Sequence, residues 1–368
     1  MANILPNDDN YGVEFIEPDP PLEISAETEP YLSIYRKYAD EFESSELKRE
    51  PILSKINDRY TIYPIEYWDI WSIYKKQLEA HWVVDEVSLD KDNDDWNNKL
   101  SKWQKKGTIH VLAFFASADG IVNANISQNL INVIYCKEAE CAYGAQMNME
   151  NTHGEMYSIL LDIYVSNDLK NKLLKSIQTI NGVKLKTIWC EEWINSDKTY
   201  AHKLVAFAMV EAIFFSGSFA TIFWLKTLPG SPMSGLRTAN KFIAKDEYMH
   251  VQLACIMYSK LQNRLKESVV HKMIQDAVNI ESIFIQESLP CRLMGMNSVL
   301  MIQYIEYCAD QLLVQLGYNK LYNKTNPFEF MKKIDNYIKQ NFFEGRNDVY
   351  TDANIDNPKI WTILDDGY

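Results

Sequence analysis

Residues Glu150 to Tyr157 read E-N-T-H-G-E-M-Y, and residues Glu247 to His250 read E-Y-M-H. In both stretches a histidine follows a glutamate by three residues. On an α-helix, residues i and i+3 lie on the same face, so each motif directs a carboxylate and an imidazole toward one point in space. One E-x-x-H can arise by chance in a chain of this length, but two are harder to dismiss. Each motif is therefore a candidate pair of metal ligands.

Two further carboxylates lie within apolar runs. The run from Leu204 to Leu225 reads LVAFAMVEAIFFSGSFATIFWL, and its only charged residue is Glu211. The run VLAFFASADGIV contains Asp119 in the same way. An ionised side chain in such surroundings is costly unless it is paired or coordinates a metal. The predicted ligand set is therefore Asp119, Glu150, His153, Glu211, Glu247 and His250.

This combination of side chains is typical of one helical architecture. Ferritin-like dinuclear bundles take one carboxylate from each of two helices and a Glu-x-x-His pair from each of two others. Here Asp119 occupies one of the two single-carboxylate places. Carboxylates with imidazole and no thiolate suit iron or manganese better than copper. We expect an all-α, ferritin-like bundle with a dinuclear metal site in its core.

Composition agrees with one large soluble domain. The 368 residues are 47% apolar and 24% charged, and the net charge of -13 comes with no basic patch, which argues against a nucleic-acid surface. We predict a mobile acidic arm over residues 1–50 and a helical domain over 51–338. Residues 339–368 are polar and acidic with isolated aromatics, which favours a flexible tail, although plain disorder without a docking role is an even alternative.

Helical patterns recur along the chain and strand alternation does not. Turn signals separate the patterns, namely SND, NGV, INSDK and LPGSP. The predicted helices cover residues 65–82, 98–127, 129–166, 199–226, 232–262, 266–286 and 295–317.

The long apolar run around Glu211 also passes the length test for a membrane span. The charge near its middle and the Ser-Gly-Ser that follows favour a buried core helix instead. The six cysteines form no C-x-x-C motif, and the N-terminus MANILPNDDN lacks the features of a signal peptide. We therefore expect a cytoplasmic protein with reduced thiols.

Four motifs together resemble the small, radical-generating subunit of class I ribonucleotide reductase, of the eukaryotic or viral type. They are the spacing W-x36-D, E-N-x-H-x-E-M-Y-S, V-E-A-I-F-F-S-G-S-F-A and K-D-E-x-x-H. The stretch Y-P-I-E-Y-W-D-I-W, from Tyr63 to Trp71, resembles another motif of that family. The similarity runs from about Pro51 to the C-terminus.

The resemblance implies roles for particular residues. It makes the six predicted ligands the ligands of a diiron centre, and it makes Tyr157 the residue that the centre and dioxygen oxidise to a radical. Trp82, Asp246 and His153 would form the internal path for an electron and a proton. Tyr350 would pass the oxidation to the large subunit, to which the C-terminal tail docks. The resemblance also implies a homodimer and an apolar radical pocket formed by Phe215, Phe219 and Ile243.

Helical spacing agrees with the implied place of the radical. Tyr157 follows His153 by four residues and Glu150 by seven, so the three share one face. For Trp82 the residue pattern alone is weaker evidence, since a buried tryptophan among nine is ordinary packing.

Three positions depart from the family's pattern. Gly154 stands where a serine is common, Lys245 where an arginine is usual, and His81 where an aromatic residue precedes Trp82. None is a predicted ligand. Two other functions stay open, namely another diiron oxidase such as a desaturase or a hydroxylase component, and a non-catalytic paralogue that docks to the reductase.

Overall fold

The computed structural model describes residues 50–54, 59–166, 170, 181–288 and 298–332. Residues 1–49 of the predicted N-terminal arm, the predicted tail and Tyr350 lie outside these residues. Within the described part, the chain forms helices and no strand, as the sequence predicts. The buried side chains of these helices form one hydrophobic core.

Ten α-helices are present in the described ranges. They are α1 Trp68–Ala80, α2 Asp92–Lys99, α3 Lys102–Asn125, α4 Lys137–Tyr164, α5 Asn181–Ile194, α6 Tyr200–Met209, α7 Ser216–Trp224, α8 Ser234–Ser259, α9 Glu267–Ser288 and α10 Ser298–Leu316. Two π-helical turns interrupt the long helical stretches, at Ile126–Leu130 after α3 and at Val210–Phe214 between α6 and α7.

Several predicted boundaries were wrong. The helix predicted over 129–166 begins only at Lys137, after a π-turn and a short 3-10 turn, Ile131–Val133. The NGV sequence was interpreted as a loop signal, but its residues are helical and are the first described residues of α5. The sequence analysis did not predict this helix. The helix predicted over 199–226 is divided by the second π-turn.

The start of α3 is fixed by a capping box. The Ser101 hydroxyl accepts a hydrogen bond from the Gln104 N–H at 3.3 Å, and the Gln104 side chain accepts one from the Ser101 N–H at 2.8 Å. Each side chain satisfies a backbone donor that has no partner inside the helix. This reciprocal pair sets where the helix that carries Asp119 begins.

Two helical stretches are long and apolar enough to cross a membrane, Lys102–Val133 and Tyr200–Thr227. In the second, 94% of the most apolar window is buried inside the protein. It packs against α8, α9 and α10. This placement agrees with the predicted buried core helix, since an apolar surface already covered by protein has no need of lipid.

Buried carboxylates hold the start of α8, the helix that carries the second E-x-x-H motif. Asp92, on α2, accepts hydrogen bonds from the N–H groups of Gly235 and Leu236 at 2.9 and 2.6 Å. The Tyr164 hydroxyl donates to the same carboxylate at 2.8 Å. Asp95 accepts from the Met233 N–H at 2.7 Å. These carboxylates satisfy the free N–H groups of the helix and complement its positive end.

We expect the change Asp92→Ala to lower the free energy of unfolding by about 2–3 kcal/mol, because it leaves two helix N–H groups and a buried tyrosine hydroxyl without their acceptor. Urea unfolding followed by circular dichroism measures the change. Asp90→Ala, at an exposed position two residues earlier, is the matched control and should cost less than about 0.5 kcal/mol. Equal stabilities for the two variants would contradict this account of the α8 cap.

Candidate metal centre

Four helical segments bring the six predicted ligands to one place in the core. Asp119 comes from α3, Glu150 and His153 come from α4, Glu211 comes from the second π-turn, and Glu247 and His250 come from α8. All six side chains are buried, and none is more than 3% exposed. The structure therefore assembles the set that the sequence predicted.

The ligand atoms form two groups that share one residue. One group consists of Glu150, Glu211, Glu247 and His250, and the other of Asp119, Glu150 and His153. Within each group the donor atoms lie within 4.8 Å of one another. Because Glu150 belongs to both groups, it would be a ligand common to both ions if two metals were bound.

Each histidine turns its Nδ1 atom toward the carboxylates. The Nδ1 of His250 lies 3.0 Å from an oxygen of Glu150 and 2.9 Å from one of Glu247. The Nδ1 of His153 lies 3.3 Å from Glu150 and 3.2 Å from Glu247. Both imidazoles thus offer the same nitrogen to the centre.

Burial and crowding of like charges shape the electrostatics of the centre. Burial, reinforced by the charges of neighbouring carboxylates, raises the pKa of Asp119 and of Glu211 well above the usual range. Burial opposes protonation of His250, but the charges of Glu150 and Glu247 outweigh it and raise its pKa to about 9. Without a metal, this centre balances its negative charge only by holding protons.

Some carboxylate oxygens of the centre lack hydrogen-bond donors in the described part of the chain, as expected for oxygens that bind metal ions. Neither oxygen of Asp119 has a hydrogen-bond partner among the described residues, and the Glu211 carboxyl faces another carboxyl, that of Glu247. Buried polar atoms are normally paired, so oxygens left unpaired at one point need another explanation. A pair of cations would satisfy these oxygens and balance their charge, and oxygen and imidazole donors are those that iron and manganese prefer.

Tyr157 lies in an aromatic pocket beside the centre. It is 1% exposed, and its ring stacks on Phe115 with centroids 4.9 Å apart and an angle of 8° between planes. Phe115 in turn contacts Phe215 and Phe219, at 5.4 and 4.9 Å. Ile243, the third predicted pocket residue, is buried. The phenol is therefore held among groups that are hard to oxidise.

The Tyr157 hydroxyl has no hydrogen-bond partner among the described residues. Burial raises its pKa well above the usual value, and the charges of Asp119, Glu247 and Glu150 raise it further. The phenol therefore keeps its proton at any physiological pH.

A hydrogen-bonded chain runs from the centre toward Trp82. The Nε2 of His153 lies 3.0 Å from an oxygen of Asp246, and the Trp82 Nε1–H donates to the same oxygen at 2.8 Å. Burial opposes protonation of His153, but hydrogen bonds to Asp246, Glu150 and Glu247 outweigh it and hold its pKa well above the usual value. The three residues implied by the resemblance are thus brought into one chain.

Sequence reasoning missed two aromatic neighbours. Phe115 precedes Asp119 by four residues, one helical turn, and that spacing would have placed it next to the centre. Phe242 packs on Trp82 with ring centroids 5.4 Å apart. Of the three departures from the family's pattern, Gly154 has open space around the position of a Cβ, so a serine would fit there.

The fold and the centre define a class of protein, a helical bundle with a buried cluster of carboxylates and imidazoles that could hold metal ions. Comparison with known proteins gives the family. The sequence profile of "Ribonucleotide reductase, small chain" matches residues 59–327. The ribonucleoside-diphosphate reductase small chain of Acanthamoeba polyphaga mimivirus is 59% identical over 340 residues, which cover 92% of this chain and 82% of the relative.

Two further relatives agree. The Dictyostelium discoideum small subunit is 48% identical over 307 residues, covering 83% of this chain and 90% of the relative. The solved ribonucleotide reductase Rnr4 homodimer from Saccharomyces cerevisiae superposes with a TM-score of 0.74 at 33% identity, covering 83% of this chain and 99% of that one. The chain belongs to the family of ribonucleotide reductase small chains. Its activity is that of the small subunit of ribonucleoside-diphosphate reductase, an oxidoreductase.

We expect Glu211→Ala to reduce the metal content of the purified protein from about two ions per chain to about one, because Glu211 belongs to only one of the two ligand groups. Metal analysis after anaerobic loading and desalting measures the stoichiometry. Glu155→Ala, at an exposed position on α4, is the matched control and should bind metal as the wild type does. Two tightly bound ions in Glu211→Ala would show that this carboxylate is not a ligand.

Proposed function

We propose that this chain binds two iron ions, with manganese as the alternative, and uses dioxygen to oxidise Tyr157 to a radical. The radical equivalent then passes to a separate large subunit, on which ribonucleotides are reduced to deoxyribonucleotides. The observation that carries the proposal is the position of Tyr157, a buried phenol in an aromatic pocket beside an assembled set of six ligands.

The ligand set supports a metal pair with redox chemistry. Asp119 and His153 would hold one ion, and Glu211, Glu247 and His250 the other, with Glu150 between them. When bound, the metal pair supplies the electrons that reduce dioxygen and the oxidising power that removes an electron and a proton from Tyr157.

The protein's own contribution is to protect the oxidised phenol. Phe115 stacks on the phenol, and Phe215 and Phe219 pack against Phe115. None of these side chains donates protons or reduces a radical readily. The pocket also excludes water, since Tyr157 and Phe115 are almost fully buried. A neutral phenoxyl radical suits such surroundings better than a charged one, because burial penalises charge.

The chain from His153 through Asp246 to Trp82 supports a path out of the centre. The Asp246 carboxylate accepts hydrogen bonds from both sides, so the indole N–H and the imidazole are joined through one oxygen. Through these bonds a proton can move at Asp246 when an electron leaves Trp82. Tyr350 would continue the path to the large subunit.

A cavity beside the centre bears on where the substrate is reduced. It has a volume of about 160 Å³ and is lined by Glu211, Glu247 and mostly apolar side chains. Pockets for drug-sized ligands measure roughly 300–1,000 Å³. The cavity suits dioxygen better than a nucleotide, which supports reduction of the nucleotide on the partner subunit.

The two alternatives fit less well. A desaturase or hydroxylase component would use the metals on its own substrate and has no need of a buried tyrosine stacked on a phenylalanine cluster. A non-catalytic paralogue has no need of six convergent ligands. We also propose that the chain forms a homodimer, like the yeast Rnr4 homodimer, and works in the cytoplasm. Its C-terminal tail would bind the large subunit.

We expect Tyr157→Phe to keep the fold and both metals and to lose the radical and the activity with the large subunit. Because the hydroxyl has no hydrogen-bond partner among the described residues, its removal should change the free energy of unfolding by less than about 1 kcal/mol. EPR after iron loading and exposure to air measures the radical. Tyr143→Phe removes another buried hydroxyl of α4 and should keep the signal. An undiminished signal in Tyr157→Phe would move the radical to another tyrosine.

The C-terminal tail should be needed for transfer of the radical to the large subunit but not for its formation. The apolar side chains of the last nine residues would supply most of the affinity for the large subunit, and Asp365 and Asp366 would add electrostatic fit. The apolar residues are Ile360, Trp361, Ile363, Leu364 and Tyr368. A chain truncated after Pro358 should form its metal centre and radical normally but yield no deoxynucleotide with the large subunit.

Two companion measurements distinguish docking from transfer. A peptide of residues 360–368 should compete with the intact chain, with an affinity of about micromolar because a flexible segment loses conformational freedom on binding. Tyr350→Phe should bind the large subunit as the wild type does and fail to turn over. Full activity of the truncated chain would contradict both roles of the tail.

A further inference from the structure

A buried ion pair lies against the π-turn that carries Glu211. Lys186, on α5, and Glu281, on α9, are 1% and 0% exposed, and Lys186 Nζ lies 2.5 Å from a Glu281 oxygen. Neither belongs to the ligand set or to the path through Trp82. An ion pair this deeply buried gains little stability over an apolar pair of the same shape, so its presence invites another explanation.

The lysine contacts the backbone of the π-turn directly. Its ammonium donates a hydrogen bond to the Phe214 carbonyl at 2.8 Å, and Phe214 is the last residue of the turn. The same ammonium lies 3.7 Å from the ring centroids of both Phe114 and Phe284. A cation between two aromatic faces is attracted to both rings, so the ammonium is held in one place.

The glutamate contacts the backbone just beyond the turn. Burial raises the pKa of Glu281 to about 7, against the lowering effects of Lys186 and of the nearby Gly217 backbone. A Cβ at Gly217 would lie 2.6 Å from a Glu281 oxygen, so glycine is required for this approach. The ion pair therefore holds a carbonyl at residue 214 and contacts the backbone at residue 217.

These contacts bracket the place where the helix changes register. A π-turn adds one residue to a helical turn and is energetically poorer than the α-helix, so neighbouring groups must stabilise it. A change of register by one residue turns a side chain by about 100° about the helix axis. If the turn between Val210 and Phe214 relaxed into α-helix, Glu211 would no longer point at the centre.

We infer that Lys186 and Glu281 are positioning residues, which fix the register of the π-turn and so direct the Glu211 carboxylate to the metal site formed with Glu150, Glu247 and His250. The inference rests on the proposed dinuclear centre. It goes beyond that proposal because it assigns a role to residues that touch neither metal ligand nor radical.

The double variant Lys186→Met/Glu281→Gln tests the inference. It keeps the approximate shape of the pair, removes both charges and removes the donor to Phe214. We expect the chain to bind its first Mn²⁺ ion as the wild type does, and its second at least about 10-fold more weakly, the range found when groups that orient metal ligands are removed. Calorimetric titration of the metal-free, full-length chain with Mn²⁺ under anaerobic conditions measures both affinities.

A spectroscopic measurement separates positioning from general loss of stability. At two equivalents of Mn²⁺ the wild type should give the EPR spectrum of an exchange-coupled pair, because Glu150 is shared by both groups. The double variant should give the spectrum of an isolated Mn²⁺ ion. Arg59→Met/Glu138→Gln removes another ion pair with a buried carboxylate, 2.7 Å apart, that touches no ligand, and should keep the coupled spectrum.

The single variant Lys186→Met serves if the double variant fails to fold, because it removes the donor to Phe214 and leaves a carboxyl that can hold a proton, whereas Glu281→Gln would leave a buried ammonium without its partner. It should weaken the second ion in the same direction. Wild-type affinity for both ions in a folded double variant, or in Lys186→Met, would overturn the inference. A wild type that binds fewer than two ions would instead contradict the proposed centre, so the two failures are distinguishable.

Discussion

The structure depends on the repulsion among four carboxylates buried at one point. Asp119, Glu150, Glu211 and Glu247 converge with two imidazoles where almost no solvent reaches them. Moving even one carboxylate out of water costs several kcal/mol unless a counter-charge accompanies it. Cations are the natural counter-charge here, and the protons held by the metal-free centre are the substitute. Two metals bound at this point would therefore contribute to the stability of the core as well as to its chemistry.

The surrounding protein supplies rigidity around this unfavourable arrangement. Carboxylates on α2 hold the start of α8, which brings the second E-x-x-H motif to the centre. The ion pair of Lys186 and Glu281 lies at the π-turn that presents Glu211. Phe115 covers the phenol of Tyr157. Helices built in this way leave the ligands little freedom to separate, which keeps the carboxylates together when no metal is bound.

The sequence predicted the centre better than the helices around it. Both E-x-x-H pairs were readable because helical spacing is strict, and Glu211 because it is the lone charge of its apolar run. Phe115 was missed although it lies one helical turn before Asp119, because a phenylalanine in an apolar run resembles ordinary core. Helix α5 was missed because the Asn-Gly pair at Asn181 is typical of a turn. The π-turn leaves no sequence signal, since the register change is set by contacts from α5 and α9. The link between Trp82 and Asp246 joins residues 164 positions apart and came only from the family resemblance.

The central claim is that these six ligands hold two irons that oxidise Tyr157. The most direct measurement is the EPR spectrum of the full-length wild type, loaded anaerobically with two equivalents of Fe²⁺ and then exposed to air. Repeating it with ring-deuterated tyrosine assigns any organic signal to a tyrosine. We expect a tyrosyl radical whose ring-proton hyperfine splitting is lost on ring deuteration. A protein that takes up and oxidises two irons with no organic radical, or with one insensitive to deuteration, would contradict it.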